Sequence, residues 1–355
     1  MNADLEKFLE LAYTGTVRWR YSPIAVMTAR ELAHPHDLLA RYFLVDPELT
    51  ADLLTYYIDS EVVSLLDLEQ LRCESPVNVD KNLIEVIGDL RFSTVFKRTE
   101  RQSNVFVFLE HQSTVDDLIC LRVLDYIIKS YWEYIDTLKQ AEKGCPKSLP
   151  CPIAVILYHG KKPWKMLKRM RDLIDSVPGF PKDLLDFPIF LIDLPRIPPE
   201  QLKGHPALVA LLETLQLGSV GKLEAGFDRV AGRLTAVRND PRAPGWMKAL
   251  VKYTISLCRI GQEAIYNAYH KILNEREARK MAMSTAQELR LEGEAKGKAE
   301  GKKEAILDCL SARFGKVPKT IRDTVNSYSD LIALKSLVGF AGTCESLDDF
   351  ADGLR

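Results

Sequence analysis

The fold is decided by residues 105–113, which read VFVFLEHQS. The first five are apolar at every position, so both faces of the segment need burial, and this predicts a central strand of a sheet. Polar residues follow immediately, and Glu110 and Gln112 share one strand face because side chains alternate along a strand. An ionised carboxylate is costly to bury unless a cation or hydrogen bonds compensate it. The end of this strand is therefore the first candidate for a functional site.

Helical and strand-like patterns surround this strand. We predict a helix from about residue 37, a second helix from about residue 116, and further strands over residues 66–72, 89–96, 152–158 and 187–194. In the second helix five large apolar residues recur at helical spacing: Leu118, Leu121, Leu124, Ile128 and Trp132. The order of helix, three strands, helix, strand and strand indicates an α/β unit with a mixed sheet.

From about residue 199 onward the pattern is helical, and the sequence divides into five parts. These are an N-terminal extension at 1–33, an α/β core at 34–200, a helical region at 201–274, a charged helical linker at 275–304 and a small helical unit at 305–355. Gly293, Gly297 and Gly301 recur every four residues in the linker, and an interior glycine costs a helix about 1 kcal/mol. We therefore expect a solvated linker helix of marginal stability.

The composition excludes several classes of protein. Lys and Arg number 48 against 49 Asp and Glu, so the whole surface is not built to bind a polyanion, although a local basic patch suffices for nucleic acid. No apolar run is long enough to span a bilayer, and the first residues lack the features of a signal peptide. The seven cysteines are scattered without a C-x-x-C pair, which favours reduced thiols in the cytoplasm. P-loop, G-x-G-x-x-G and G-x-S-x-G motifs are absent from the sequence.

A second carboxylate, Asp89, begins the strand that precedes residues 105–113. Folding the two strands back about the polar segment 97–104 brings Asp89 opposite the stretch from Glu110 to Gln112, whereas a one-residue slip moves it to the other face. The face of Asp89 stays open at this point, and the alternative is a plain salt bridge or strand-end charge. If the two carboxylates converge, with Gln112 nearby, they suit a hard divalent cation such as Mg²⁺ or Mn²⁺.

At these residues the chain resembles a known family. Asp89 with Glu110-x-Gln112 resembles the Asp…(Asp/Glu)-x-Lys signature of the PD-(D/E)XK nuclease superfamily, whose element order also matches. The closer resemblance, over residues 34–300, is to the Rpn family of recombination-promoting nucleases, also called putative transposases. It is carried by His36-Asp37, Gly88-Asp89-Leu90, Leu109-Glu110-His111-Gln112-Ser113, Leu121-Arg122-Val123-Leu124, Ile156-Leu157-Tyr158-His159-Gly160 and Pro163-Trp164.

The resemblance implies a PD-(D/E)XK, restriction-endonuclease-like core followed by a helical C-terminal region. It also implies a Mg²⁺- or Mn²⁺-dependent DNA endonuclease associated with recombination or mobile elements. Asp89 and Glu110 would be the metal ligands, and Gln112 would take the place of the superfamily lysine. The neutral Gln112, the near-zero net charge and the long helical tail support an alternative, a catalytically decayed DNA-binding or protein-interaction module of the same fold. A homo-oligomer formed through the C-terminal helices is a third reading.

The best candidate for a DNA-binding surface is the basic segment at residues 161–171. It holds six basic residues and no acidic residue, and such side chains neutralise phosphates. We expect Lys161, Lys162 and Lys165 to contact DNA and Trp164 to stack on a base, with Arg122 as a further phosphate contact. The alternative is a solvated helix face with its methionines buried.

Three histidines receive structural interpretations. His111 points to the strand face opposite Glu110 and is expected to form a structural hydrogen bond. His159 follows a buried strand and is taken as a turn residue. His36-Asp37 is taken as a helix cap.

Overall fold

The computed structural model describes residues 35–74, 90–97, 104–141, 146, 148–165, 169–175, 186–328 and 330–354. The strands are β1 (Arg72–Cys73), β2 (Leu90–Val95), β3 (Asn104–Gln112), β4 (Cys151–Tyr158) and β5 (Ile189–Asp193). The helices of the first part are α1 (Pro35–Leu44), α2 (Pro47–Tyr57), α3 (Ser60–Leu65) and α4 (Ile119–Gln140). Those that follow the sheet are α5 (Pro206–Ser219), α6 (Leu223–Arg233), α7 (Ala243–Leu257), α8 (Gln262–His270), α9 (Glu275–Phe314), α10 (Lys319–Ser327), α11 (Leu331–Thr343) and α12 (Leu347–Asp352).

The five strands form one mixed sheet in the order β1-β2-β3-β4-β5. The first three strands are antiparallel neighbours, whereas β3, β4 and β5 are parallel. A parallel pair needs a crossover connection, and α4 supplies the one between β3 and β4. The prediction of a mixed α/β unit with a fifth strand after the second helix is confirmed.

The central position of β3 is also confirmed, because its two faces lie in two separate hydrophobic clusters. Val105, Val107 and Leu109 belong to a cluster with the helices that include α1, α5 and α7. Phe106 and Phe108 belong to the cluster that contains α4. Successive side chains of β3 thus enter the two clusters alternately, and this is why the segment is apolar at every position.

The prediction of a strand over residues 66–72 is wrong for most of its length. Leu66 forms only an isolated bridge with Phe96, and residues Leu68–Gln70 form a single 3-10 turn. The amide of Gln70 donates to the carboxylate of Asp67, so the polar residues of this segment close a turn instead of extending a strand. The sheet edge is left to the two residues of β1.

Helix α4 buries a different face from the one that the sequence pattern emphasised. Its buried residues are Ile119, Cys120, Val123, Tyr126, Ile127 and Ser130. By contrast, Leu118, Leu121, Ile128 and Trp132 are exposed, and Trp132 is 61% exposed. The helix carries two apolar stripes, and periodicity alone does not say which one faces the sheet.

The chain divides into two compact units, and the first comprises residues 34–293. Helices α5 to α8 pack in the same hydrophobic cluster as the sheet, so this unit continues past residue 200, where the sequence pattern placed the end of the α/β core. The described residues of the second unit lie within 294–354 and are mainly helical. Ile306, Leu310, Val325 and Leu334 are among the residues of its own core.

Residues 275–304 lie within the 40-residue helix α9, which is continuous through its three glycines. The helix ends at Phe314. The next residue, Gly315, has a φ of 81°, the left-handed conformation that glycine adopts without strain. In the part of the chain that the structure describes, no helix combines the length and the hydropathy that crossing a membrane requires.

Candidate active site at the end of strand β3

The carboxylate of Glu110 is the centre of the candidate site. It lies where β3 leaves the core, and the residue is only 3% exposed. Its Oε1 accepts hydrogen bonds from the amide of Gln112 and from the guanidinium of Arg122. Its Oε2 is buried and makes no hydrogen bond to any residue that the structure describes. Glu110 therefore has one carboxylate oxygen fixed by two donors and a second, buried oxygen that no described residue fixes.

Arg122 reaches this carboxylate from the beginning of α4. Its Nη2 pairs with Glu110, and its Nη1 lies 3.0 Å from Oδ2 of Asp116. Burial acts to lower the pKa of Arg122, but the nearby Glu110, Tyr126 and Asp116 more than offset it, so the pKa is raised. Asp116 also accepts a hydrogen bond from the backbone N–H of Leu118, which orders the turn before the helix. The charge of Arg122 is shared between two carboxylates in this structure, and its role as a phosphate contact stays a prediction.

Asp89 lies outside the described residues. The residue after it, Leu90, pairs with Leu109, the residue before Glu110. Within the described residues, no cluster of three or more His, Cys, Asp and Glu side chains is arranged to hold a metal ion. The described part of the site thus offers a divalent cation one buried oxygen of the type that Mg²⁺ and Mn²⁺ prefer, Oε2 of Glu110. The assignment of Asp89 as the second ligand stays a prediction.

Three histidines meet on the opposite face of the sheet, which sequence reasoning treated separately. The rings of His111 and His159 are stacked, and the ring of His36 lies 4.7 Å from that of His159. His36 and Asp37 are inside the first turn of α1, so the expected cap position is wrong. The sequence signal for this cluster was a histidine near the end of each of two buried strands, His111 in β3 and His159 directly after β4. The position of His36 became clear only with the tertiary structure.

Neighbouring helices hold the histidines in place. Nδ1 of His36 lies 2.7 Å from the hydroxyl of Tyr253, and Nδ1 of His159 lies 2.7 Å from the hydroxyl of Ser219. Burial, followed by the charge of His36, lowers the pKa of His159 to about 3. Burial and the two neighbouring histidines also lower the pKa of His111 well below its ordinary value. The cluster is therefore neutral at physiological pH and joins the ends of β3 and β4 to α1, α5 and α7.

The backbone at Gly160, just after β4, passes close to the ring of Tyr158. A Cβ atom at this position would lie 2.1 Å from the hydroxyl oxygen of Tyr158. That hydroxyl donates to the backbone carbonyl of Lys162 at 2.7 Å, so the tyrosine ring is held against this part of the chain. Glycine is required because the chain passes close to this ring.

Trp164 does not have the predicted role of stacking on a base. It is 3% exposed and packs edge to face on Tyr158, with ring centroids 5.2 Å apart. Its backbone N–H donates to Asp193 at the end of β5. The indole therefore packs in the hydrophobic cluster on this side of the parallel strands, where its apolar surface contributes to stability.

The basic segment is only partly available for nucleic acid. Lys161, Lys162 and Lys165 are exposed, in agreement with the expected surface. Arg169, by contrast, forms an ion pair with Asp186 at 3.0 Å, and Arg171 lies 3.7 Å from the same carboxylate. Among the described basic residues of this segment, the three exposed lysines are therefore the best placed to meet a nucleic acid.

Comparison with known proteins identifies relatives. Residues 34–239, more than half of the chain, match the family described as "Putative transposase, YhgA-like". The chain is 27% identical to recombination-promoting nuclease RpnA of Escherichia coli strain K12 over 191 residues, which cover 54% of this chain and 62% of that protein. It is 28% identical to recombination-promoting nuclease RpnD of Escherichia coli O157:H7 over 195 residues, 54% of this chain and 70% of that protein.

A further relative carries a different name. The chain is 24% identical over 286 residues to the inactive recombination-promoting nuclease-like protein RpnE of Escherichia coli strain K12, covering 79% of this chain and 90% of that protein. No solved structure matches the chain. The matched part is less than two thirds of the length of RpnA. The resemblance drawn from the strand-end motifs is confirmed, and the chain belongs to the YhgA-like putative transposase family, which links it to the recombination-promoting nucleases.

Proposed function

We propose that this chain is a metal-dependent DNA endonuclease of the PD-(D/E)XK type that acts in recombination or at mobile elements. The observation that carries the proposal is the environment of Glu110. A carboxylate that is 3% exposed, with one oxygen held by two donors and the other without a hydrogen bond among the described residues, is prepared to bind a cation. Family membership among proteins named nucleases supplies the reaction class.

In this proposal Glu110 and Asp89 hold the divalent ion, Mg²⁺ or Mn²⁺. When bound, the ion would polarise a phosphoryl oxygen and lower the pKa of a water molecule. The amide of Gln112 fixes the orientation of the Glu110 carboxylate and stands where the superfamily has a lysine. The chain's own contribution is therefore to place two oxygen ligands at the rim of a rigid sheet.

The exposed lysines that follow β4 give the DNA a place to bind. Lys161, Lys162 and Lys165 lie beyond the carboxyl end of β4, and β4 is the parallel neighbour of the strand that carries Glu110. Ligands of open α/β sheets bind at the carboxyl ends of the strands, and lysine side chains there would neutralise backbone phosphates. The same edge of the sheet thus carries the cleavage site and its phosphate contacts.

Plasmid nicking by the purified protein tests the proposal. We expect nicking with Mg²⁺ or Mn²⁺ and none with EDTA, and we expect Glu110→Gln and Asp89→Asn to reduce the rate at least about a hundredfold. Asp125→Asn is the matched control, since Asp125 is an exposed carboxylate on α4 that pairs with Lys129. Wild-type activity in both carboxylate variants would disprove the assignment of the site.

A second candidate is a module of the same family that binds DNA and no longer cleaves it. The specific observation in its favour is that Arg122 already neutralises Glu110. This reading predicts salt-sensitive DNA binding that is the same with EDTA and with Mn²⁺, together with no nicking by folded protein. One relative of the chain is itself named an inactive nuclease-like protein, which supports this reading.

A further inference from the structure

We propose that Arg122 is an internal counter-cation of Glu110, which a divalent metal ion displaces so that Arg122 is retained by Asp116. The inference rests on the proposed function, because it describes how the same site changes between its metal-free and metal-bound states. It assigns Arg122 and Asp116 a regulatory role in metal binding.

The geometry places one guanidinium between two carboxylates. Nη2 of Arg122 is on Glu110, while its Nη1 is 3.0 Å from Asp116. The two carboxylates differ in burial, since the side chain of Glu110 is 4% exposed and that of Asp116 is 26% exposed. Arg122 itself is 43% exposed, so its guanidinium has room to move toward the solvent side of the pair.

The charges determine which carboxylate keeps Arg122. Without metal, the buried Glu110 needs a cation more than the better solvated Asp116 does, because an unpaired buried charge is strongly destabilising. A divalent ion on Oε2, which has no hydrogen bond among the described residues, would supply that charge and would repel the guanidinium at close range. Asp116 offers Arg122 an ion pair that does not require Glu110, which lowers the cost of the displacement.

Two single variants should therefore shift metal affinity in opposite directions. Arg122→Gln removes the competing cation, so Mn²⁺ should bind about tenfold more tightly. The metal-free protein should in turn unfold at a lower temperature, since Glu110 loses its partner. Asp116→Asn removes the alternative partner and leaves Arg122 on Glu110, so Mn²⁺ should bind several-fold more weakly.

The double variant Arg122→Gln/Asp116→Asn tests whether the two residues act on each other. If Asp116 acts only by receiving Arg122, the double variant should bind Mn²⁺ as tightly as Arg122→Gln alone, and the two effects will not add. Isothermal titration of the full-length protein with Mn²⁺ gives the affinities, and thermal unfolding in EDTA gives the metal-free stability. Asp125→Asn/Lys129→Gln is the control, because it removes an exposed ion pair of α4.

The outcomes separate this inference from the proposed function. Weaker Mn²⁺ binding by Arg122→Gln would overturn the inference alone, since Arg122 would then orient Glu110 toward the metal. The same holds if Asp116→Asn binds Mn²⁺ as the wild type does. Absence of Mn²⁺ binding by folded wild-type protein, or binding unchanged in Glu110→Gln, would overturn the proposed function and this inference together.

Discussion

The imidazole rings of His111 and His159 lie almost parallel, with their centroids 4.4 Å apart and 12° between their planes. His111 is in β3, between Glu110 and Gln112, and His159 directly follows β4. The stack therefore joins the ends of two parallel strands on the face opposite the candidate site. Since the backbone N–H of His159 also donates to the carbonyl of Gln112, the two strand ends are held together through both backbone and side chains.

Acid should destabilise the protein through this cluster. The pKa of His159 is about 3 in the folded chain and near 6.5 when unfolded, so the unfolded state takes up the proton first. The free energy of unfolding should fall as the pH drops from about 6.5 toward 3, by up to about 1.4 kcal/mol per pH unit for this residue. His36 and His111 act in the same direction, because burial lowers their pKa values also.

Urea unfolding of wild type and His159→Gln between pH 8 and pH 4.5 measures this effect. The variant should be less stable at pH 7, since it loses the ring stack. Its free energy of unfolding should also change less with pH, because about one proton fewer is taken up on unfolding in acid. His270→Gln, at an exposed position on α8, should keep the wild-type slope. Equal slopes for wild type and His159→Gln would show that His159 does not titrate differently on folding.

The two adjacent isoleucines of α4 should differ sharply in their contribution to stability. Ile127 is 3% exposed and packs in the cluster beneath the sheet, whereas Ile128 is 46% exposed. Ile127→Ala should cost about 2–5 kcal/mol of unfolding free energy, and Ile128→Ala less than about 1 kcal/mol. Urea denaturation at pH 7 measures both, and each variant is the control of the other. A larger loss in Ile128→Ala would mean that the orientation of the helix is wrong.

In the ion pairs that join α5 to α6, replacing the arginines should reduce the free energy of unfolding more than replacing the glutamate. The side chain of Glu213 is fully buried and lies 2.7 Å from Nε of Arg229 and 3.0 Å from Nε of Arg233, and both arginines are partly exposed. Arg229→Gln/Arg233→Gln leaves a buried carboxylate without a cation and should cost about 3–5 kcal/mol. Glu213→Gln leaves only cations that water can reach and should cost less, about 1–2 kcal/mol.

Chemical denaturation at low salt compares these variants. Arg238→Gln, which changes an arginine at the end of the following 3-10 segment, serves as the control for loss of a positive charge. If Glu213→Gln proves as costly as the double arginine variant, the carboxylate contributes through its packing and hydrogen bonding and the charge balance is secondary.

The lysines after β4 should affect DNA binding without affecting stability, if the proposed function holds. Lys161→Gln/Lys162→Gln/Lys165→Gln should weaken DNA binding and reduce the slope of log affinity against log salt by about 2–3. Fluorescence anisotropy with a labelled duplex over a salt series measures the slope. The matched control is Lys316→Gln/Lys319→Gln/Lys335→Gln, three exposed lysines of the C-terminal unit. An unchanged slope in the first triple variant would remove these lysines from the DNA interface.

Much of the sheet could be predicted because its signals are local. The segment around Phe108 is apolar at consecutive positions, and only a strand buried on both faces explains this. The same argument located β4 and β5, although β3 continues through the polar residues after Leu109 to Gln112. The family resemblance rested on these strand ends, so it was available from the sequence also.

Other features required the tertiary structure, because they depend on which distant segments meet. Helix α4 has two apolar stripes, and only its docking on the sheet decided that Ile127 is buried and Ile128 exposed. The packing of α5 to α8 on the sheet is of the same kind, since a helical pattern after residue 200 does not say what those helices pack against. The burial of Trp164 reflects its packing on the ring of Tyr158, a contact that the local sequence does not reveal.

The sequence by itself determined that Glu110 would stand at the rim of a buried strand, because hydrophobic periodicity is a property of neighbouring residues. It could not decide the partners of that carboxylate. Arg122 comes from the first turns of the next helix, and its arrival at Glu110 depends on how α4 docks. The histidine cluster required contacts across still longer separations, from His36 to Tyr253. Pairings of this kind depend on packing in three dimensions, so only the tertiary structure decided them.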